Sequence, residues 1–340
     1  MDKKLILAVA GSGKTTHIIN NLDSNKRSII VTYTNNNYNN LKKNISKKFG
    51  CLPENISLFT YFSFLYSFCY RPFLSYQYKD NGITFERNMN RYVRMSNNKF
   101  FFDSNNRLYS NRLAKFIDKK NEINNVKKRL EKYFDNFFID EFQDLGGYDF
   151  NFIMKLLETK INILFVGDFY QHTYNTSRDC NVNKNLYSSL DKFRKKCKMN
   201  NLKIDENKLK KSYRCSPTVC NFIKDNLDID IESHRKDKTK ITFIDNEKKA
   251  LNIFKNQEII KLFYRQHYEY NCCSKNWGES KGDSDLEDVC VVLNKTTYKK
   301  FRNNNLESLA PTTKNKLYVA CSRSSNNLFL VSEKLLKRMT

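Results

Sequence analysis

The stretch Ala8-Val9-Ala10-Gly11-Ser12-Gly13-Lys14-Thr15-Thr16 constrains the fold more than any other part of the chain. It closes an apolar run, residues 5–10, and opens a segment that reads as helix. Glycines at such a turn let backbone N–H groups wrap a phosphate, because no Cβ blocks the approach. The amino end of the following helix adds partial positive charge. Lys14 is then placed to reach β- and γ-phosphates, and the Thr15 hydroxyl to hold Mg²⁺. Ala10, Gly11, Ser12, Gly13, Lys14, Thr15 and Thr16 are therefore the expected phosphate-loop residues, although Ala8 stands where the general pattern has its first glycine.

The rest of the chain supports an α/β architecture. Residues 28–33 (SIIVTY), 137–140 (FFID) and 161–166 (INILFV) are short apolar runs, the last two followed by acidic residues. Such runs read as parallel strands buried on both faces, with function at their carboxyl ends. Residues 151–157 carry a helical pattern between two of them, which is α/β alternation. A second set begins near 195–205: strands at 240–244, 289–293 and 328–331, helices at 217–226 and 250–264. The expected division is 1–200 and 201–340, with a helical insertion at about 65–133 that is rich in Tyr, Phe, Arg and Asn. At 340 residues, two domains is also the prior from length.

Within 137–144, Asp140 and Glu141 end a strand. A strand-terminal Asp suits Mg²⁺, and the next Glu suits a catalytic base that orients water. Sixty Lys and Arg against 36 Asp and Glu give a net charge of +24, a field that attracts polyanions such as nucleic acid. No run approaches the 18 apolar residues of a membrane span, and no signal peptide is legible, so a cytoplasmic chain with reduced thiols is expected. The ten cysteines form no C-x₂-C pair, which leaves little for a structural metal.

Six motifs in order resemble those of the superfamily 1A DNA helicases of the UvrD/Rep/PcrA type. Thr32-Tyr33-Thr34-Asn35 and Phe59-Thr60-Tyr61-Phe62-Ser63-Phe64 resemble two DNA-contacting motifs. Asp140-Glu141-Phe142-Gln143-Asp144 is similar to the DExxQD box, and Gly167-Asp168-Phe169-Tyr170-Gln171-His172-Thr173-Tyr174 to GDxxQxxY. Ser212-Tyr213-Arg214-Cys215 resembles xYRS, and Lys316-Leu317-Tyr318-Val319-Ala320-Cys321-Ser322-Arg323 resembles YVAxTRA. Glu279-Ser280-Lys281-Gly282 stands where the family has a KGLE-type motif, with Gly282 at the nucleotide.

The resemblance implies two RecA-like (P-loop NTPase) domains with parallel sheets flanked by helices. It implies ATP and Mg²⁺ as cofactors and 3′→5′ movement on single-stranded DNA. Gln171 would sense the γ-phosphate, Tyr213 would stack on adenine, Arg214 would touch the γ-phosphate, and Arg323 would be the arginine finger. Thr34, Phe64 and Tyr174 would grip the strand. The first strand begins by about Lys4, which leaves no room for the family's upstream Gln motif. About 75 residues separate Phe64 from Asp140 and about 67 separate Arg214 from Gly282, so a large insert in the second domain is not expected. Such a form would unwind poorly alone and work with a partner, for instance a nuclease subunit. Two alternatives are an ATPase switch that regulates such a nuclease in response to DNA, and an RNA-directed motor. For any of these, the net charge predicts that nucleic-acid binding weakens steeply between roughly 50 and 200 mM salt. Binding by fluorescence anisotropy that is unchanged over that range would remove the electrostatic argument.

Overall fold

Parallel strands need long crossovers, and each crossover brings the chain back so that all strand carboxyl ends share one edge. The computed structural model, which describes residues 2–86, 88, 92–173, 182–283 and 286–337, is built in this way. The chain divides into two units. One comprises Met1–Ile6, Thr15–Gly167 and Tyr174–Asp205; the other comprises Leu7–Lys14, Asp168–Thr173 and Glu206–Thr340.

In the first unit, β1 (Lys3–Leu7), β2 (Ser28–Thr32), β3 (Ile56–Thr60), β6 (Asn136–Ile139), β7 (Asn162–Gly167) and β8 (Lys203–Asp205) form one sheet. Two further short strands, β4 (Ile83–Thr84) and β5 (Leu108–Tyr109), pair apart from it. The sheet order is β3-β2-β6-β7-β1-β8. β2 is buried along its whole length and pairs in parallel with β3 and β6, which explains the apolar Ile29, Ile30 and Val31 at its centre. Phe137, Phe142 and Phe165 fill the layer above; Phe142 and Phe165 stack at 4.9 Å with their planes 12° apart. Each such ring contributes roughly 1.5–3 kcal/mol by burial. Gly167 ends β7 against the turn Phe142–Asp144, where a Cβ would lie 3.1 Å from Gln143 N and 3.2 Å from Phe142 N.

The first strand is shorter than its sequence suggests. It stops at Leu7, and residues 8–10 are loop. Their backbone is bonded within the second unit instead: Val9 N donates to Leu209 O at 3.0 Å, and Tyr213 N donates to Gly11 O at 2.8 Å.

The insertion is helical only in part. It opens with a π-helix, Phe64–Ser75, which contains Pro72. The β4–β5 pair and irregular turns follow, and helices Leu113–Lys119 and Ile123–Tyr133 close it. Asp80 is its hub. Its carboxylate accepts from Tyr66 Oη (2.6 Å), Tyr70 Oη (2.9 Å), Ser75 Oγ (2.8 Å) and Gly82 N (3.2 Å). A long-range clasp of this kind has no sequence period, which is why the segment reads as plain helix.

The second unit adds β9 (Lys211–Ser212), β10 (Glu232–Ser233), β11 (Ile241–Ile244), β12 (Ile260–Phe263), β13 (Ser274–Asn276), β14 (Val289–Leu293) and β15 (Leu328–Ser332). Its main sheet runs β11-β15-β14-β12-β13, all parallel, and β9 pairs with β10. Trp277 is wholly buried in its core and donates Nε1–H to Leu262 O at 2.8 Å. The expected helix over 250–264 is corrected: a helix spans Glu247–Lys255, and β12 follows. Asn256 ends the helix, its side chain accepting from Glu258 N at 2.9 Å, and β12 is buried throughout. A short run bounded by a turn residue of this sort suits a strand, although its period alone does not separate strand from helix. No helix among the described residues is long and apolar enough to cross a membrane, and the described cysteines are free thiols.

Burial alone would push the Asp80 carboxyl up, but the hydrogen bonds from Tyr66, Ser75, Tyr70 and Gly82 outweigh it and hold Asp80 below its ordinary value. A depressed carboxyl contributes stability that is complete above about pH 3.9 and is lost as pH falls through the lowered value. Asp80→Ala is therefore expected to cost about 2–3 kcal/mol and to speed hydrogen exchange in residues 64–82. In the parent chain the same segment should keep its protection at pH 5 and lose it only in stronger acid. Exchange that ignores both changes would remove Asp80 as the hub.

Candidate nucleotide site

The glycine-rich loop, Asp140, Gln171 and Arg214 follow the carboxyl ends of β1, β6, β7 and β9, where open α/β sheets place their ligands, whereas Arg323 follows helix Pro311–Cys321. Gly11 and Gly13 take φ of +69° and +83°, conformations that only glycine adopts without strain. Ser12 is buried, and its Oγ donates to Val9 O at 2.8 Å, which fixes the loop. Ala10 is buried, and its N–H donates to Tyr318 Oη at 2.8 Å. Tyr318 Oη in turn donates to Asp168 Oδ2 at 2.9 Å, and Gln171 Nε2 donates to the same oxygen at 2.9 Å. Burial, and then the Asp168 charge, push the Tyr318 phenol well above its ordinary value, so it stays a donor at neutral pH.

Gly11 and Gly13 line a cavity of about 470 Å³ together with Tyr213, Arg214, Arg235 and Ser325. The volume lies within the range of small-molecule sites. A methyl group on Gly11 would come to 2.7 Å from both Arg214 Cβ and Ser212 Oγ. Arg214 Nη1 donates to Ser322 O at 3.4 Å. Arg323 is buried, with Nε donating to Val319 O at 3.2 Å and Nη1 to Asp283 O at 3.1 Å. Gly282 sits in an exposed turn with φ +97° and is not among the residues that line the cavity.

In the first unit, Thr15 Oγ1 donates to Asp140 Oδ2 at 3.1 Å. Asp140 is buried, and its other oxygen accepts from Glu141 N at 3.0 Å. Glu141 has φ +57°, a conformation uncommon outside glycine and a sign of local strain. Gln143 Nε2 donates to Glu141 Oε2 and fixes that carboxylate. Two oxygens on adjacent corners of a Mg²⁺ octahedron stand about 3 Å apart, so the Thr15–Asp140 spacing fits a shared divalent ion. No cluster of three or more His, Cys, Asp or Glu suited to a metal occurs among the described residues, so the remaining ligands would come from phosphate and water. Thr16 is exposed on the first turn of helix Lys14–Asn20, while Lys14 at its start is buried.

Two comparisons bear on this geometry. A model of the viral superfamily 1 RNA helicase core domain matches residues 93–332, and an AAA domain model matches residues 2–177. The chain belongs to the superfamily 1 helicase core family. No curated protein matches it. Its fold is similar to that of arterivirus nonstructural protein 10, a helicase solved in complex with DNA, at 14% identity and a TM-score of 0.51. That alignment takes in 98% of this chain and 62% of the other, so this helicase core spans less than two thirds of its relative's length. The same arterivirus protein in a second crystal structure gives 15% identity and a TM-score of 0.48, with the same coverage.

The helicase core corrects one grip residue. Phe64 is fully buried, 5.7 Å from Phe68 and 5.6 Å from Phe137 between ring centroids, so it is core and offers no face to a base. Thr34 is exposed and caps helix Asn35–Phe49, its hydroxyl accepting from Asn37 N at 3.1 Å. Tyr174 lies outside the described residues. Sequence reasoning passed over a row of rings beside Thr34: Tyr33 and Phe62 lie 5.9 Å apart, Phe62 and Phe85 lie 5.2 Å apart, and Phe85 is 68% exposed. It also passed over Tyr318, although that residue stood inside a quoted motif.

Gly11→Ala in this helicase core introduces both a positive-φ alanine and a clash with Arg214 and Ser212. The expected cost is about 2 kcal/mol or more, with nucleotide binding lost. Thermal unfolding followed alongside nucleotide titration checks it, and a variant with parental stability and affinity would show that the loop is slack.

Proposed function

We propose that this chain is an NTP-driven motor that moves along single-stranded nucleic acid. The observation that carries the reading is that the glycine-rich loop and Arg214 line one cavity. In this reading Lys14 holds the β- and γ-phosphates of ATP, and Thr15 and Asp140 hold Mg²⁺, which supplies charge to the phosphates when bound. Glu141, fixed by Gln143, orients the attacking water. Gln171, Arg214 and Arg323 respond to the γ-phosphate, and Tyr213 takes the base. Preorganised charge of this kind is most of what phosphoryl transfer asks of a protein.

For the strand, the motif order supports single-stranded DNA and 3′→5′ movement of the UvrD type. Thr34 keeps its O–H to donate to a phosphate, and the Tyr33–Phe62–Phe85 row gives bases a stacking face that works with any sequence. A second reading, movement on RNA, is favoured by the viral RNA helicase match over residues 93–332.

Steady-state ATPase activity with no strand, with single-stranded DNA and with single-stranded RNA separates these readings. Stimulation by one strand type that vanishes in Lys14→Ala is the expected result. Phe62→Ala with Phe85→Ala should weaken strand affinity by about tenfold, the scale of one base–aromatic stack, while leaving strand-free turnover in place. Turnover that is indifferent to either strand would overturn the motor.

A further inference from the structure

The exposed base-binding ring of the proposed nucleotide site has a partner that no motif supplies. β9 and β10 pair in parallel with Lys211 beside Glu232 and Ser212 beside Ser233. The next residues on each strand, Tyr213 and His234, therefore lie side by side, and His234 N donates to Ser212 O at 2.9 Å. Their rings stack 4.0 Å apart with planes 13° from parallel.

The strap that carries His234 is tied down on both sides. Ser233 Oγ donates to Cys215 O at 2.8 Å, and Arg235 N donates to Ser233 Oγ at 2.9 Å. Arg235 Nη1 donates to the carbonyls of both Arg214 and Ser325, and its Nε donates to Asp237 Oδ1 at 2.8 Å. Tyr213 nevertheless remains 64% exposed, at the rim of the cavity that Gly11 and Gly13 also line.

We infer that His234 is a specificity-determining residue of the nucleotide site: by backing Tyr213 it makes a rigid two-ring platform for a purine base. The inference rests on the NTP reading above and deepens it. A lone exposed tyrosine samples several rotamers and loses that freedom when a base stacks on it. A ring already held by a parallel neighbour has lost it beforehand. Stacking rewards ring area and is indifferent to the hydrogen-bonding edge of the base. ATP and GTP therefore bind alike, and CTP binds more weakly.

The test uses the full chain with Mg²⁺ and equilibrium titration of the β,γ-imido analogues of ATP, GTP and CTP, with inorganic tripolyphosphate as the base-free probe. His234→Ala is expected to weaken the ATP and GTP analogues about tenfold, or about 1.4 kcal/mol, and to leave tripolyphosphate unchanged. His234→Phe, which restores a flat ring, should restore purine binding. Equal loss for tripolyphosphate and the ATP analogue would reduce His234 to a structural prop and overturn the inference, as would no loss at all. A parent chain that binds tripolyphosphate but discriminates no base also overturns it while sparing the phosphate loop. A parent chain that binds neither probe overturns the NTP reading itself.

Discussion

The buried carboxylate of Asp168 accepts from Tyr170 N on one oxygen and from Tyr318 Oη and Gln171 Nε2 on the other, and Tyr318 accepts in turn from Ala10 N. A charge this far from water persists only with several donors, and removing one donor leaves the rest uncompensated. Three stretches distant in sequence thereby become one piece: the glycine-rich loop, the turn after β7, and helix Pro311–Cys321. The loop's conformation is then set by a tyrosine more than 300 positions away as much as by its own glycines. Gln171 belongs to the same network, so any phosphate it senses is read through a group already committed to Asp168.

Much of this was legible in the sequence, for a physical reason. Strands buried on both faces of a parallel sheet are mostly apolar, as β2, β6 and β14 are, and polar chemistry then gathers just past their ends. Lys14, Asp140 and Arg214 could be named from such runs alone or from motifs beside them. Facing direction could not. Phe62 and Phe64 are two positions apart in one motif, and the resemblance points to Phe64 for the strand and not to Phe62. The turn into the π-helix sends Phe64 into the core beside Phe137 and leaves Phe62 next to exposed Phe85.

Features that depend on pairing between distant segments left no trace at all. His234 meets Tyr213 only because β9 and β10 lie in one particular register, and a shift by one residue would separate the rings. The Asp80 clasp draws on two tyrosines, a serine and a backbone amide with no common spacing. β12 is hard to read for a related reason: its four residues, Ile260 to Phe263, are too short a run to announce whether a helix or a sheet will bury them.

Gly11 has an evolutionary consequence. Its lack of a side chain is required because Arg214 and Ser212 already occupy the space a methyl group would take, and in the proposed reading a phosphate requires it as well. In a lineage that abandoned turnover and kept the protein as a scaffold, Gly11 would still be retained by packing alone. A glycine surviving there after turnover was lost would then record the architecture of an ancestor rather than the activity of its descendant.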